Sequence, residues 1–361
     1  MTAKDGPFVP VPVSEEEASL LETIARANEA IPVEADAPFA ALWSLLVEIG
    51  LHTLVLDPDE EFGGAVILAA IAGALGRSLN ADPFIWGAVA APSLLRAVKP
   101  GRAVDELAER LRAGAFATVA MHGPDADLEQ LGSGVAITGS DAGHRATGRA
   151  HFVPFASDAG VMLVVGSHGE DIVLAEVVAP GSLTREEGEP FDLRTPLTTV
   201  EFRDAEVRLL GRLGADPAEL LATALLCQAA AIAGSSEQVL LDSVGYANIR
   251  EQFGVPIAEF QAIRHRLAEM LVEVQLMRSA TRQAANERDA AAFLWAGYHC
   301  MATAPGVARS NIQIHGGIGY TWEHSAHRHY RYAFAAREAV FSMGSLERWL
   351  MSQLIRTGDA A

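Results

Sequence analysis

Cysteine is nearly absent from this chain. Only Cys227 and Cys300 occur in 361 residues, each inside an apolar stretch and with no CxxC pair, which excludes a disulfide framework and speaks against zinc or dithiol chemistry. Basic charge is also short: 27 Lys and Arg stand against 46 Asp and Glu, a formal net charge of −19. A field of that sign repels nucleic acid and anionic membrane surfaces. The opening stretch "MTAKDGPFVPVPVSEEEASLL" has no basic region followed by an apolar run. No segment reads as the roughly 18 to 20 apolar residues that a membrane span needs. The expectation is a cytoplasmic protein of a reducing compartment, with neither nucleic acid nor membrane as partner.

Half the residues are apolar, enough for a large core, and the length suggests two or three domains. The first part, residues 1–113, reads as helical. "SEEEASLLETIARAN" offers Ser14 as an N-cap with acids in the first turn, "GAVILAAIAGALGRSL" follows, and "AVDELAERLRAG" spaces Val104, Leu107 and Leu111 on one face. In residues 114–210 the period shortens and β-branched residues cluster in "FATVAM", "SGVAITGS", "GVMLVVGS", "DIVLAEVV" and "TPLTTVEF", which predicts a small antiparallel barrel or sandwich. Helical spacing returns in residues 211–361. Pro217 suits a first turn, and Ile263, Leu267, Met270, Leu271, Val274 and Met277 form one stripe of a long helix. The fold class is α+β, in the order helices, strands, helices.

Two stretches have a composition that could carry chemistry. In "YANIREQFGVPIAEFQ" a helix runs to Arg250, and Gly254 and Pro256 prevent its continuation, leaving Arg250 and Gln252 beside an exposed elbow. An arginine there can hold a phosphate with two parallel N–H bonds, although an ordinary helix hairpin has the same outline. In "NIQIHGGIGYTWEHSAHRHYRY", Gly316 and Gly317 let a backbone approach a ligand closely, and Gln313 offers an amide to a base or to the next turn. The spacing is not a Rossmann fingerprint. His324 and His327 are three apart and His327 and His329 two apart, so at most two share a helical face. With no HExxH and with Arg328 and Arg331 alongside, no metal is expected. A basic patch facing an anion, or plain packing, fits better.

Taken together and in this order, "REQFGVPIAEFQ" and "QIHGGIGYTWEH" resemble the acyl-CoA dehydrogenase family, and "EEFGGAVILAAIAGALGRSLNADPF" is similar to that family's N-terminal helical pattern. The resemblance covers nearly the whole chain. It implies an N-terminal helical domain, a middle β domain, a C-terminal four-helix bundle through which subunits assemble, and FAD lying across a subunit interface. In the family the R-x-x-F-G element, here Arg250 and Phe253, meets the pyrophosphate of a flavin bound mainly to the neighbouring subunit, with Gln252 close by. The Q-x-x-G-G element, here Gln313, Gly316 and Gly317, approaches the adenine end.

The family reaction draws the α-proton from an acyl thioester with a carboxylate while a hydride leaves the β-carbon for the flavin. The two places where the family carries that acid fall here on Val340 and near Ala224, and neither is acidic. Glu338 lies two residues from the first, a rotation of about 200° on a helix. The flavin-covering segment reads "MHGPDADLEQLGSG", Pro154 stands where a hydroxyl would address the flavin ring, and Leu225 replaces an arginine. These losses, beside intact cross-interface elements, resemble the non-catalytic subunit of heteromeric α2β2 acyl-CoA dehydrogenases of the kind acting on steroid side-chain CoA thioesters. The expectation is no catalytic residue in this chain, FAD shared with a homologous catalytic subunit, and acyl-CoA held mainly by that partner. The alternatives are a homomeric enzyme using Glu338, or a flavin-free structural subunit.

Overall fold

The computed structural model describes residues 15–31, 39–58, 64–140, 143–186, 191–192, 194–214, 217–337 and 339–358. Helices come first: α1 (Glu15–Ala30), α2 (Phe39–Glu48), α3 (Ala65–Gly76), a π-helical stretch Phe84–Ala90 that runs into α4 (Ala91–Ala97), and α5 (Arg102–Arg112). On α5 the spaced residues Leu107 and Leu111 are buried, with Val104 partly so, as an amphipathic stripe requires. Ser14, expected to cap α1, lies outside the described residues. The helix α2 and the π-helical stretch were not foreseen. Phe84–Ala90 is buried on every side, so it carries no amphipathic period to read.

Seven strands follow: β1 (Ala117–Ala120), β2 (Val135–Ser140), β3 (Gly143–Pro154), β4 (Val161–His168), β5 (Asp171–Val177), β6 (Thr184–Glu186) and β7 (Leu197–Arg212). The order β4-β2-β3-β7-β5 returns to β4 through the β4–β5 pairing, closing a barrel, with β1 added beside β4 and β6 beside β7. The expected all-antiparallel sheet is corrected here, because β1 pairs β4 in parallel and β2 meets β4 in parallel at Ala136 and Ser167. Closure leaves few free edges. The long strand β3 escaped the sequence pattern. Its register shifts twice against β7, and Gly148, at φ +137°, packs so close to β2 that a Cβ would overlap the carbonyl of Gly134. Bulges of this kind break the alternation that marks a strand.

The chain then returns to helices: α6 (Pro217–Ile249), α7 (Gln261–Glu287), α8 (Ala290–His315), α9 (Ala326–Ala335) and α10 (Met343–Gly358), with a short hairpin of β8 (Glu251–Gln252) and β9 (Val255–Pro256) between α6 and α7. Met270, Val274 and Met277 of α7 are buried, with Ile263, Leu267 and Leu271 packed beside them. Among the described residues α6 is the helix long and apolar enough to cross a membrane, which the sequence pattern did not suggest, but 89% of its apolar window is buried in the fold. It is the centre of the bundle, and one apolar cluster runs from the first helices through α6 to α8, while the barrel interior forms a second. Both Cys227 and Cys300 lie inside, and burial pushes both thiols up.

Candidate functional site

The end of α6 builds the first part of the site. The Arg250 N–H donates to Tyr246 O at 2.9 Å, completing the last turn, and Ile257 N–H donates to Arg250 O at 2.8 Å, folding the chain back. The β8–β9 pairing leaves Phe253 and Gly254 as a two-residue loop with φ +55° and +83°, the backbone of a type I′ turn. Glycine adopts that conformation freely, but a phenylalanine held there costs about 1–2 kcal/mol. Phe253 is nevertheless 94% exposed, its ring meeting only Phe260 edge-on at 6.1 Å. Strain at a residue that buries almost nothing marks a contact element rather than a stabilising one. Arg250 is exposed as well, and among the described residues it has no ion-pair partner. The Gln252 side-chain amide donates to Glu251 O at 2.6 Å.

The C-terminal end of α8 builds the second part. The helix stops at Gly316, whose φ of +65° suits a residue without Cβ, and the turn Gly316–Tyr320 follows. A Cβ added to Gly316 or Gly317 would meet nothing within 4 Å, so this backbone is open to close approach from outside. Gln313, one turn earlier, is exposed between buried Ile312 and Ile314.

The two parts are joined by a residue pair that sequence spacing did not reveal. His315 is buried, its Nδ1 is 2.9 Å from Asn311 O, and its ring lies between those of Tyr246 and His324 at 4.4 Å each. Tyr246 stands one turn before Arg250, and His315 directly precedes Gly316. Ser243 donates to Asn311 Oδ1 at 2.8 Å, fixing α6 and α8 one turn deeper. All six expected contact residues, Arg250, Gln252, Phe253, Gln313, Gly316 and Gly317, therefore lie at one end of the molecule. The signal that was available is an aromatic four residues before the arginine and a histidine inside the glycine motif.

The positions at which the family resemblance would place the acid and the flavin-facing groups lie inside the protein. Val340, Ala224 and Leu225 have no exposed surface, and Leu225 packs on Gly297 of α8, where a Cβ would stand 2.8 Å from its Cγ. His122 is buried beside Phe341, ring centroids 6.1 Å apart, with no hydrogen bond of good geometry on either nitrogen. Burial pushes its imidazole down to about 4, so it is neutral at physiological pH. The Ser342 N–H donates to Ala126 O at 3.1 Å, Leu128 N–H to Ser345 Oγ at 2.7 Å, and Arg348 pairs with Asp127 at 2.6 Å. These bonds draw the segment around Val340 onto the loop that follows His122. Pro154 has no N–H, and its carbonyl accepts from the Thr118 hydroxyl, so its backbone has no donor to offer a ligand. Glu338, the acid held in reserve, lies outside the described residues.

The histidine-rich stretch proves mainly internal. His329 is buried with Nδ1 2.8 Å from Ser235 Oγ, and burial pushes it down to about 3. Arg328 is buried, and the Arg331 guanidinium lies over Trp322 at 4.8 Å and Phe191 at 5.8 Å. Of the two expectations, plain packing describes the stretch better than a basic patch, with His329 and Arg328 buried and Arg331 held against two aromatic rings. Among the described residues no group of His, Cys, Asp and Glu could hold a metal ion.

Comparison with known proteins bears on this geometry. A family model described as acyl-CoA dehydrogenase, C-terminal domain, matches residues 218–339. The acyl-CoA dehydrogenase IpdE2 of Mycobacterium tuberculosis is 30% identical, over 94% of this chain and 98% of that protein. Among solved structures, the ChsE4–ChsE5 complex from Mycobacterium tuberculosis is 25% identical with a TM-score of 0.80, covering 96% of this chain and 99% of that one. A variant of the Tcur3481–Tcur3483 steroid ACAD, 24% identical with a TM-score of 0.80 over 96% and 99% of the two chains, shares the fold.

Proposed function

The chain belongs to the acyl-CoA dehydrogenase family, and from that premise we propose that it is the non-catalytic subunit of a heteromeric, FAD-dependent acyl-CoA dehydrogenase. Its three regions, 1–113, 114–210 and 211–361, take the roles of helical, β and assembly domains. The observation that carries this reading is an asymmetry. Groups that can meet an anion or a base from outside, Arg250, Gln252 and Gln313, are exposed, whereas both positions for a proton-abstracting acid are apolar and buried.

The residues present fit one end of FAD and not the other. Arg250 presents a fixed-charge fork to a diphosphate, and Phe253 adds an aromatic face beside it. Gln313, Gly316 and Gly317 leave a bare backbone and an amide for a flat heterocycle. No side chain at Val340, Ala224 or Pro154 can receive a proton or hydrogen-bond a flavin ring, so these groups come from the partner. Bound in the assembled enzyme, the flavin supplies a two-electron acceptor for the hydride. The acyl-CoA thioester is held mainly by the partner. The two-protein name of the ChsE4–ChsE5 complex supports a two-chain assembly, and the "HGGIGYTWEH" spelling supports a steroid side-chain CoA ester as the substrate class.

The test is flavin content. The chain purified alone should carry little FAD and show no turnover with acyl-CoA thioesters, and co-expression with a homologous chain bearing the carboxylate should give a yellow, active complex. Full flavin occupancy together with turnover by the chain alone would overturn the reading.

A further inference from the structure

Ring packing gives His315 a part in the contact site that neither motif spells out. It is the last residue of α8, directly before the glycine turn, and is 5% exposed. Its Nδ1 lies 2.9 Å from Asn311 O. A carbonyl only accepts, so Nδ1 carries a hydrogen and the ring is held to its own helix. The ring meets Tyr246 with centroids 4.4 Å apart and 31° between planes, and His324 at 4.4 Å and 55°. Each of the three rings belongs to a different segment. Tyr246 lies near the end of α6, His315 ends α8, and His324 stands just before α9, where its Nδ1 accepts from the Ala326 N–H at 3.1 Å.

Both contact motifs are attached directly to this stack. The Arg250 N–H donates to Tyr246 O at 2.9 Å, so the arginine is bonded to the residue whose ring His315 touches. On the other side the glycine turn folds back over His315: a Cβ added to Gly319 would stand 3.2 Å from His315 Cβ. A shift of His315 therefore moves the arginine end and the glycine turn relative to each other. The deeper tie from Ser243 to Asn311 Oδ1 holds the two helices together but touches neither motif. A ligand that spans both motifs needs them at a fixed spacing, within about 0.5 Å. Resting on the subunit role above, we propose that His315 is a positioning residue for the cofactor. Through Tyr246 it sets Arg250 at the distance from Gly316 and Gly317 that one FAD molecule spans, and the property it supplies is a flat ring.

The experiment measures FAD dissociation from the co-expressed complex, beside urea unfolding of the full chain alone. His315→Leu keeps the bulk but not the flat ring and should loosen FAD about tenfold, the size of one or two lost ring pairs. His315→Phe restores the ring and should hold FAD within about threefold of wild type. Tyr246→Leu, at the half-buried ring, reads the same contact if His315→Leu does not fold. Ser243→Ala separates positioning from stability: losing a buried hydrogen-bond partner destabilises the chain, yet FAD affinity should stay within about twofold. Because His315 acts through Arg250, Arg250→Ala should cost about threefold less or better in the His315→Leu background than in wild type. Equal FAD loss in Ser243→Ala and His315→Leu overturns the inference, as does a His315→Phe variant as loose as His315→Leu, or losses from His315→Leu and Arg250→Ala that simply multiply. Weakening by Arg250→Ala with none from His315→Leu or Tyr246→Leu sinks only the positioning role. A lone chain that is fully flavinated and active sinks the subunit role and the positioning claim with it.

Discussion

Replacing Phe253 with asparagine separates a contact residue from a stabilising one. Asparagine tolerates positive φ and forms with Gly254 the preferred type I′ pair, so relief of strain contributes about 1 kcal/mol. The edge-on contact with Phe260 at 6.1 Å is lost, at about 0.5–1.5 kcal/mol. The two nearly cancel. The isolated chain should therefore keep its stability within about 1 kcal/mol, where truncating a buried phenylalanine costs about 3–5 kcal/mol. The proposed assembly covers the exposed ring, and burying a phenylalanine stabilises by about 1.5–3 kcal/mol. Flavin retention in the complex should accordingly weaken about 10- to 100-fold. Urea unfolding of the chain alone and the absorbance of flavin retained through gel filtration of the complex measure the two effects. A loss of about 3 kcal/mol in the isolated chain, or unchanged flavin retention in the complex, would refute the reasoning.

Other consequences follow from the same geometry. Arg250→Ala should leave the lone chain's unfolding midpoint unchanged, since the arginine has no partner there, and cut flavin retention in the complex about 30-fold or more, with Arg250→Lys intermediate because the fork is lost and the charge kept. Gly317→Ala should be nearly neutral in the lone chain, where a Cβ meets nothing within 4 Å, and should impair the complex. Gly234→Ala should cost about 3 kcal/mol or more in urea unfolding, because its Cβ would overlap the carbonyl of Gly73 where α3 crosses α6. Asp82, buried and accepting from the Thr195 hydroxyl, is pushed up to about 7 by burial first and Asp192 second. A carboxyl raised in the fold contributes fully below its ordinary value near 3.8, and that contribution is lost as pH climbs through about 7. The gap of about three pH units sets a ceiling of about 4 kcal/mol. Asp82→Asn should remove this loss, so its stability relative to wild type should rise by about 2–4 kcal/mol between pH 4 and 7.5. An unchanged difference across that range would show that Asp82 stays ionised in the fold.

Much of the architecture was legible because it is written in local periods. The stripe of α7 and the Val- and Ile-rich strands announce themselves within ten residues. What escaped was buried on every side, as in Phe84–Ala90, or broken by bulges, as in β3. The parallel β1–β4 pairing escaped for another reason: the direction of a strand's neighbour depends on how the chain returns to it, which no strand encodes in its own residues. Within the site, Arg250 and Gln313 could be singled out by motif, but the His315 stack that carries both to one end could not. Nor could sequence show that burial pushes His329 down to about 3, which leaves that ring neutral.

The order of helices, strands and helices, the break of the helix at Gly254 and Pro256 and the absence of an acid at Val340 and Ala224 were determined by the sequence alone, because each depends on a residue and its near neighbours. Barrel closure, the joining of the two motif ends through Tyr246 and His315, and the packing of buried His122 against Phe341 were decided only by the tertiary structure. Those depend on which distant surfaces exclude water from one another, a choice made by the whole chain as it packs.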